Sequence, residues 1–484
     1  MNVQWLRKGC LFIIICYIVI AVAFPMIAGD QLYFRTDASG MVKASSETVE
    51  LTEGVLLRQP FRTDGDEITG ISLYLTTYGR RNTSQLRIQI VDQAGSVLGE
   101  SSLKLAGLSD NTEQFVVFAR PISVNPGETY ELQISSPDAA AGNGAAVWYG
   151  NSVAAARNEV TLMIPEGERL LVNDLPVNGK LCYSLQTRTY LWFGQSYPLL
   201  ATLTGMCLAL YCGYLLYKAK KGETALALRL LAAFLRYGFL IKQLVGRDFK
   251  TKYKRSVLGV LWSFLNPLLT MTVQYIVFSA VFKTDIPNFP LYLLTGIVCF
   301  NFFNEACGMA LMSIVGNAAL ITKVYVPKYI YPFSRVLSSS INLFLSLIPL
   351  LAVMLLTGAR IRPALLLLPF GILCLLAFSL GVGMFLATAM VFFRDTQFLW
   401  GVISMLWMYA TPIFYPESII GDQFVVLFKC NPLYHIIRFI RIILMDGISP
   451  EPKAYAFCLI ASVVPLVIGA VVFKKNQDKF ILNL

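Results

Sequence analysis

The chain has 484 residues, 56% hydrophobic and 14% charged, with a formal net charge of +11. That composition excludes a soluble globular protein of this length and identifies an integral membrane protein. From Asp30 to Arg188 there are 13 basic and 19 acidic residues, so this segment carries −6 and the remainder +17; basic residues flanking apolar runs on the cytoplasmic side account for the excess without a nucleic-acid partner.

Arg7 and Lys8 precede an apolar run from Gly9 to Ala28, about 20 residues, enough to cross a hydrocarbon layer of about 30 Å as a helix. The basic pair predicts a cytoplasmic N-terminus, with residues 1–29 an uncleaved anchor rather than a signal peptide ending near Ala21-Val22-Ala23. From 30 to 189 the pattern becomes short alternating runs, Ile68 to Leu75, Leu86 to Val91, Phe115 to Phe118 and Tyr130 to Ile134, separated by turn signals at Asp92-Gln93-Ala94-Gly95 and Asn125-Pro126-Gly127. Period-two apolar positions such as Ile71, Leu73, Leu75 and Leu86, Ile88, Ile90 predict strands with one buried face, and hence an all-β, jelly-roll-like sandwich domain. A second helix over 190–218 ends in Lys218, Lys220 and Lys221, which places that end in the cytoplasm and the sandwich outside it.

Between Lys218 and Arg255 lie 11 basic and two acidic residues among leucines and phenylalanines, so 219–256 reads as an amphipathic segment at the cytoplasmic interface. Six further spans are expected within a 257–484 domain, near 257–282, 289–312, 333–357, 364–392, 397–415 and 454–473, for about eight transmembrane helices in all. Lys323, Lys328, Arg394 and Lys474 mark cytoplasmic ends, whereas Arg360 and Arg362 fall outside. Between 412 and 447 Pro416, Gly421 and Pro432 break the chain into stretches too short to cross, as in a re-entrant gate.

Ten cysteines include no CxxC pair, and the single histidine, His435, has no Cys or carboxylate at ligand spacing, so neither a metal site nor a histidine-based active site is expected. No GxxxxGK[ST] loop occurs, so ATP hydrolysis is not expected of this chain. Glu305 stands out as a carboxylate inside an apolar stretch for which the sequence names no partner.

Arg247-Asp248-Phe249-Lys250-Thr251-Lys252-Tyr253-Lys254-Arg255 runs directly into Ser256-Val257-Leu258-Gly259-Val260-Leu261-Trp262-Ser263-Phe264-Leu265-Asn266-Pro267. Further along come Leu320 to Lys328, Phe392-Phe393-Arg394-Asp395, Thr411-Pro412-Ile413-Phe414-Tyr415-Pro416 and Asn431-Pro432-Leu433. In this order the motifs resemble the permeases of polysaccharide ABC exporters, which move O-antigen, capsular and teichoic-acid polymers. The resemblance covers about 235–484 and omits the first two spans and the sandwich.

The resemblance implies a non-enzymatic, multi-pass permease of the cytoplasmic membrane that pairs with a second copy of itself and with two ATP-binding subunits. It implies no cofactor in this chain, ATP and Mg being used by the partner, and a lipid-linked polysaccharide as cargo. Trp262, Tyr275, Trp400, Trp407 and Tyr409 are candidates for an aromatic translocation path, with an interfacial aromatic belt as the competing reading. Arg247, Lys250, Lys252, Lys254 and Arg255 are candidates for a lipid diphosphate or for anchoring to acidic membrane lipids. Gly316, Lys323, Tyr325, Pro327 and Lys328 mark the loop expected to contact the ATPase, and Pro412, Tyr415, Arg438 and Arg441 the outer gate, the arginines being candidates either for substrate phosphate or for a solvated, headgroup-facing position. In the sandwich, Tyr74, Tyr78, Trp148 and Tyr149 are candidates for stacking on an emerging glycan, or else belong to the core of a spacer. A drug-exporting permease is the first alternative; a membrane glycosyltransferase is the second, and lacks aspartate-rich motifs, since Asp248 and Asp395 each adjoin an arginine.

Overall fold

The computed structural model describes residues 3–154, 159–161, 164–222, 225–254, 257–282, 286–324, 326–417 and 421–483. It forms two compact units, one of Tyr33–Gln195 and the other of Met1–Leu32 with Ser196–Leu484.

The first unit is all β. In chain order its strands begin with β1 (Phe34–Ala38), β2 (Ser46–Glu47), β3 (Leu56–Arg62), β4 (Glu67–Thr76), β5 (Gln85–Val91), β6 (Val97–Lys104), β7 (Thr112–Ser123) and β8 (Thr129–Ser135). There follow β9 (Ala146–Gly150), β10 (Ser152–Ala154), β11 (Glu159–Thr161), β12 (Leu170–Val172), β13 (Leu175–Val177), β14 (Lys180–Leu181) and β15 (Tyr183–Tyr190). One antiparallel sheet runs β1-β15-β4-β9-β14, with β7 also on β4 and β2 on β9; a second runs β13-β12-β3-β8-β5-β6, and β10 and β11 form a separate two-stranded pair. The alternating positions do what their period dictates: Ile71, Leu73 and Leu75 of one sheet and Leu86, Ile88 and Ile90 of the other point into one shared core. The β5–β6 hairpin closes where Asp92 accepts from the Ala94 and Ser96 N–H groups while Gly95 takes φ +83°, a backbone that disfavours a side chain.

The second unit is helical. Its helices are α1 (Val3–Ala28), α2 (Trp192–Lys220), α3 (Leu226–Tyr253), α4 (Trp262–Phe282), α5 (Phe289–Leu311), the single turn α6 (Ala318–Ile321), α7 (Ile330–Leu356) and α8 (Leu368–Phe392). They continue with α9 (Thr396–Tyr409), α10 (Asp422–Lys429), α11 (Pro432–Arg441), α12 (Pro452–Asn476) and α13 (Phe480–Asn483). Among the described residues seven helices are long and apolar enough to cross a membrane. The expected span at 397–415 is the exception. The apolar sequence continues to Tyr415, but Pro412 lacks an N–H and its ring disfavours helical backbone before it, so α9 stops after 14 residues, about 21 Å. α10 and α11 are short, as the breaks between 412 and 447 predict, and α3 is the basic amphipathic helix expected from 219–256.

α5 is the most enclosed of the long helices, packed against α4, α7 and α8. Phe303 on α5 stacks on Phe378 of α8 at 5.0 Å and meets Trp400 and Trp407 of α9 edge-on. α8 and α12 touch backbone to backbone: a Cβ on Gly469 would stand 2.0 Å from the Gly381 carbonyl oxygen, a contact only glycine permits. This packing holds α4, α5 and α7 so that their polar residues share one groove.

Candidate functional site

The last turns of α3 lie on the first turns of α7 because Leu240, Ile241 and Leu244 pack with Ile330, Tyr331 and Phe333. This brings Asp248 to Arg335, whose Nη1 lies 2.8 Å from Asp248 Oδ1. Arg247 Nη2 reaches the same oxygen at 3.3 Å and also donates to Asn317 Oδ1 at 3.3 Å. Asp248 Oδ2 is buried and receives no hydrogen bond.

One turn further along α3, Lys252 Nζ stands 2.8 Å from Oε1 of Glu305 on α5. Asn342 of α7 donates to the same oxygen at 2.7 Å, and its own Oδ1 accepts from Tyr253 Oη at 2.9 Å. Tyr253 is also hydrogen-bonded to Ser263 of α4. The apolar stretch around Glu305 thus carries a carboxylate whose two partners come from two other helices.

Two cavities meet at Lys252, Glu305 and Asn342. The larger, about 660 Å³, extends past Arg247, Asp248 and Arg335 to Gly316. The smaller, about 240 Å³, extends past Tyr253 and Trp262 to Asn266, Asn301 and Ser346. Asn301 and Asn342 stand near the middles of their helices, and Asn266 and Asn301 are exposed on the surface of the chain. An unpaired amide in hydrocarbon costs several kcal/mol, so this surface faces water, polar cargo or more protein rather than lipid.

The aromatic candidates do not share one surface, although Trp400 and Trp407 both meet Phe303. Trp262 lines the smaller cavity; Tyr275 rests 6.0 Å from Phe289; Tyr409 is exposed. Trp400 is only 7% exposed, buried against Phe303, and is therefore core in this chain rather than a wall of the groove. Trp407 is half-buried, its Nε1 donating to Asn431 Oδ1 at 2.9 Å. Among the basic candidates Arg247 and Lys252 belong to the cluster, Lys250 and Lys254 are exposed beside it, and Arg255 lies outside the described residues. Gly316 borders the larger cavity, Lys323 is exposed, Pro327 is half-buried, Lys328 donates to the Gln477 carbonyl at 2.7 Å, and Tyr325 lies outside the described residues.

Arg441 requires a correction. Rather than reaching outward for a phosphate, its guanidinium is buried, with Nη1 donating to the Pro412 carbonyl at 2.6 Å and Nη2 to those of Tyr292 and Ile413, both at 3.1 Å. It lies over the Tyr292 ring at 3.4 Å, tying α11 to α5 and to the segment that follows α9. Arg438, by contrast, is exposed beside Glu417, and Tyr415 Oη donates to the Tyr409 carbonyl. His435 packs flat on Phe457.

In the β unit the four aromatic candidates separate. Tyr74 and Trp148 lie together with centroids 6.2 Å apart, whereas Tyr149 packs on the core and Tyr78 sits after β4 with Arg80 over its ring. Arg335, Asn301, Asn342 and Asn266 were not among the candidates. The signal available for them was a charge or amide inside an apolar helix, the same signal that marked Glu305.

Comparison with known proteins is consistent with this architecture. The ABC-2 type transporter family matches residues 239–445. An O-antigen export system permease protein RfbA of Myxococcus xanthus is 31% identical over 255 residues, covering 52% of this chain and 98% of that protein. One from Klebsiella pneumoniae is 31% identical over 249 residues, 50% of this chain and 95% of its own. The polysialic acid transport protein KpsM of Escherichia coli is 22% identical over 248 residues, 50% of this chain and 95% of its own. The family match leaves the β unit outside it, and the helical part identifies this chain as a multi-pass member of the ABC-2 type transporter family.

Proposed function

We propose that this chain is the membrane-spanning subunit of an ATP-driven exporter of lipid-linked polysaccharide across the cytoplasmic membrane. The observation that carries this reading is the groove: asparagine and serine at mid-helix and an ion pair between the last turn of α3 and α5, open to the surface of the chain, give a hydroxyl-rich polymer hydrogen-bonding partners where hydrocarbon would give none. The O-antigen and polysialic acid relatives supply the class of cargo. A second copy facing the groove would close it off from lipid, and two ATP-binding subunits, using ATP and Mg, would supply the motor.

In this arrangement Lys252 and Arg247 receive the anionic headgroup of the cargo, Trp262 and the asparagines line its route, and Gly316 to Lys328 pass on the movement of the motor. The exposed Arg438 and the short helices α10 and α11 serve the outer gate. Both termini lie in the cytoplasm and the β unit lies outside it.

The test is to delete the chain's coding sequence and follow the surface polymer by gel and by fractionation. Polymer retained inside, with export restored by the wild-type chain but not by Glu305→Gln, supports the reading. Undiminished surface polymer in the deletion strain, with altered resistance to hydrophobic drugs, would replace it with the drug-exporter reading.

A further inference from the structure

We propose that the outer face of the β1-β15-β4-β7 sheet binds neutral hexopyranose units of the exported polymer; the inference rests on the polysaccharide reading above. Directly paired residues of an antiparallel ladder share a face. Ser72 pairs with Phe115 and with Ser184, and Gly70 with Val117 and with Gln186, so all six stand on one side of the sheet. The other side buries Ile71, Leu73, Val116 and Leu185 in the core. Tyr74 belongs to the outer side by alternation, and so does Trp148, because its neighbour Val147 pairs with core-facing Leu75.

Two features of this face are unusual for a solvent-facing sheet. Phe115 is 50% and Val117 60% exposed, at positions where the alternation calls for polar residues. The Phe115 ring also lies down over β4 instead of standing away from it: a Cβ on Gly70 would come within 2.7 Å of its Cζ. Glycine at 70 makes room for the tip of the ring over β4, while half of the side chain stays exposed. Trp148 is oriented by its Nε1, which donates to Asn111 Oδ1 at 3.0 Å, and its ring adjoins that of Tyr74. The result is a set of ring surfaces interleaved with hydroxyl, amide and carboxylate groups from Ser72, Ser184, Gln186 and Glu113.

The size and charge of the face decide the occupant. Its exposed apolar area is on the order of 300 Å², well short of the roughly 800 Å² per partner that a stable protein interface buries. Glu47 and Glu113 pair with Trp148 and Tyr74, and the segment from Asp30 to Arg188 carries −6, which opposes an anionic lipid surface or a phosphate-rich polymer. A neutral pyranose has apolar C–H faces to lay on rings and a rim of hydroxyls to bond the side chains between them. Weak affinity at such a site suffices, because it shares a chain with the permease and so meets the polymer at high local concentration.

The experiment uses the full-length protein in nanodiscs and, as probe, the surface polysaccharide purified from the organism that carries the chain, freed of lipid, with binding followed by biolayer interferometry. Phe115→Ala and Trp148→Ala should each weaken binding at least tenfold. Ser72→Arg, which removes no apolar contact but covers the face, should do the same, while Leu175→Ala, at an exposed apolar position on the other sheet, should leave binding unchanged. No binding by the wild-type protein at millimolar repeat units overturns the proposal, and so does equal binding by the variants. A change of oligomeric state in Phe115→Ala or Ser72→Arg also overturns it, in favour of a second copy. Export in the deletion strain is read separately, so loss of the polysaccharide reading is distinguishable from loss of this face alone.

Discussion

Nη1 of Arg335, in the second turn of α7, lies 2.8 Å from Oδ1 of Asp248 near the end of α3, and that carboxylate's side chain is 4% exposed. The basic helix is therefore held to the bundle by a buried ion pair as well as by leucines. Removing one partner of such a pair leaves a buried charge, which costs about 3–5 kcal/mol; here Arg247, at 3.3 Å, keeps the loss near 3. Arg335→Met should lower the melting temperature of the purified protein in detergent by several degrees, and Asp248→Asn in the same chain should recover part of it. Equal melting of Arg335→Met and wild type would mean that the pair does not hold α3.

The Lys252–Glu305 pair should behave differently. Both side chains are partly exposed to the groove, so the pair contributes about 1 kcal/mol or less to stability. Glu305→Gln, which keeps an acceptor for Asn342, should melt within a degree or two of wild type while surface polymer falls severalfold in quantitative gels. Loss of stability equal to the loss of export would make this pair a structural tie.

Gly469 tests the packing of α8 on α12. A valine there has no room beside the Gly381 carbonyl, and the obstacle is backbone, which moves only if a whole helix moves. Gly469→Val should give no monodisperse peak on size exclusion, whereas the same change at Gly401, which meets nothing within 4 Å, should be tolerated.

Burial pushes the Cys182 thiol in the β unit up to about 12. A raised value keeps the neutral thiol, so near pH 8 the reactive thiolate is on the order of one part in ten thousand. Maleimide should leave the Cys182 peptide unmodified in the folded protein from pH 7 to 9, as followed by mass spectrometry, and modify it fully after denaturation.

Topology has its own check. Ser109 is exposed in the β unit. Ser109→Cys should react with a membrane-impermeant maleimide on intact cells or spheroplasts; reaction only after lysis would place the β unit inside and reverse the proposed orientation.

The sequence by itself determined most elements of this protein, the 14-residue α9 in place of an expected span being the exception. Apolar runs of about 20 residues have one stable form in hydrocarbon, the self-bonded helix, and strict alternation such as Ile71, Leu73, Leu75 has one half-buried form, the strand. The ordered motifs from Arg247 to Asn431 pointed to the family on the same terms, as did the glutamate at 305 to a polar site. The tertiary structure decided which side chains meet. Glu305 and Lys252 are 53 positions apart, and no local pattern pairs them. Arg438 and Arg441 share one short helix, yet the first is exposed and the second is enclosed by carbonyls from α5 and the segment that follows α9. Trp400 looked like a channel residue and Phe115 like an ordinary strand residue; the first is core and the second lies open over Gly70. Periodicity fixes a residue's direction relative to its own helix or strand, whereas burial and pairing depend on what other elements bring against that face, and that depends on contacts far apart in the chain.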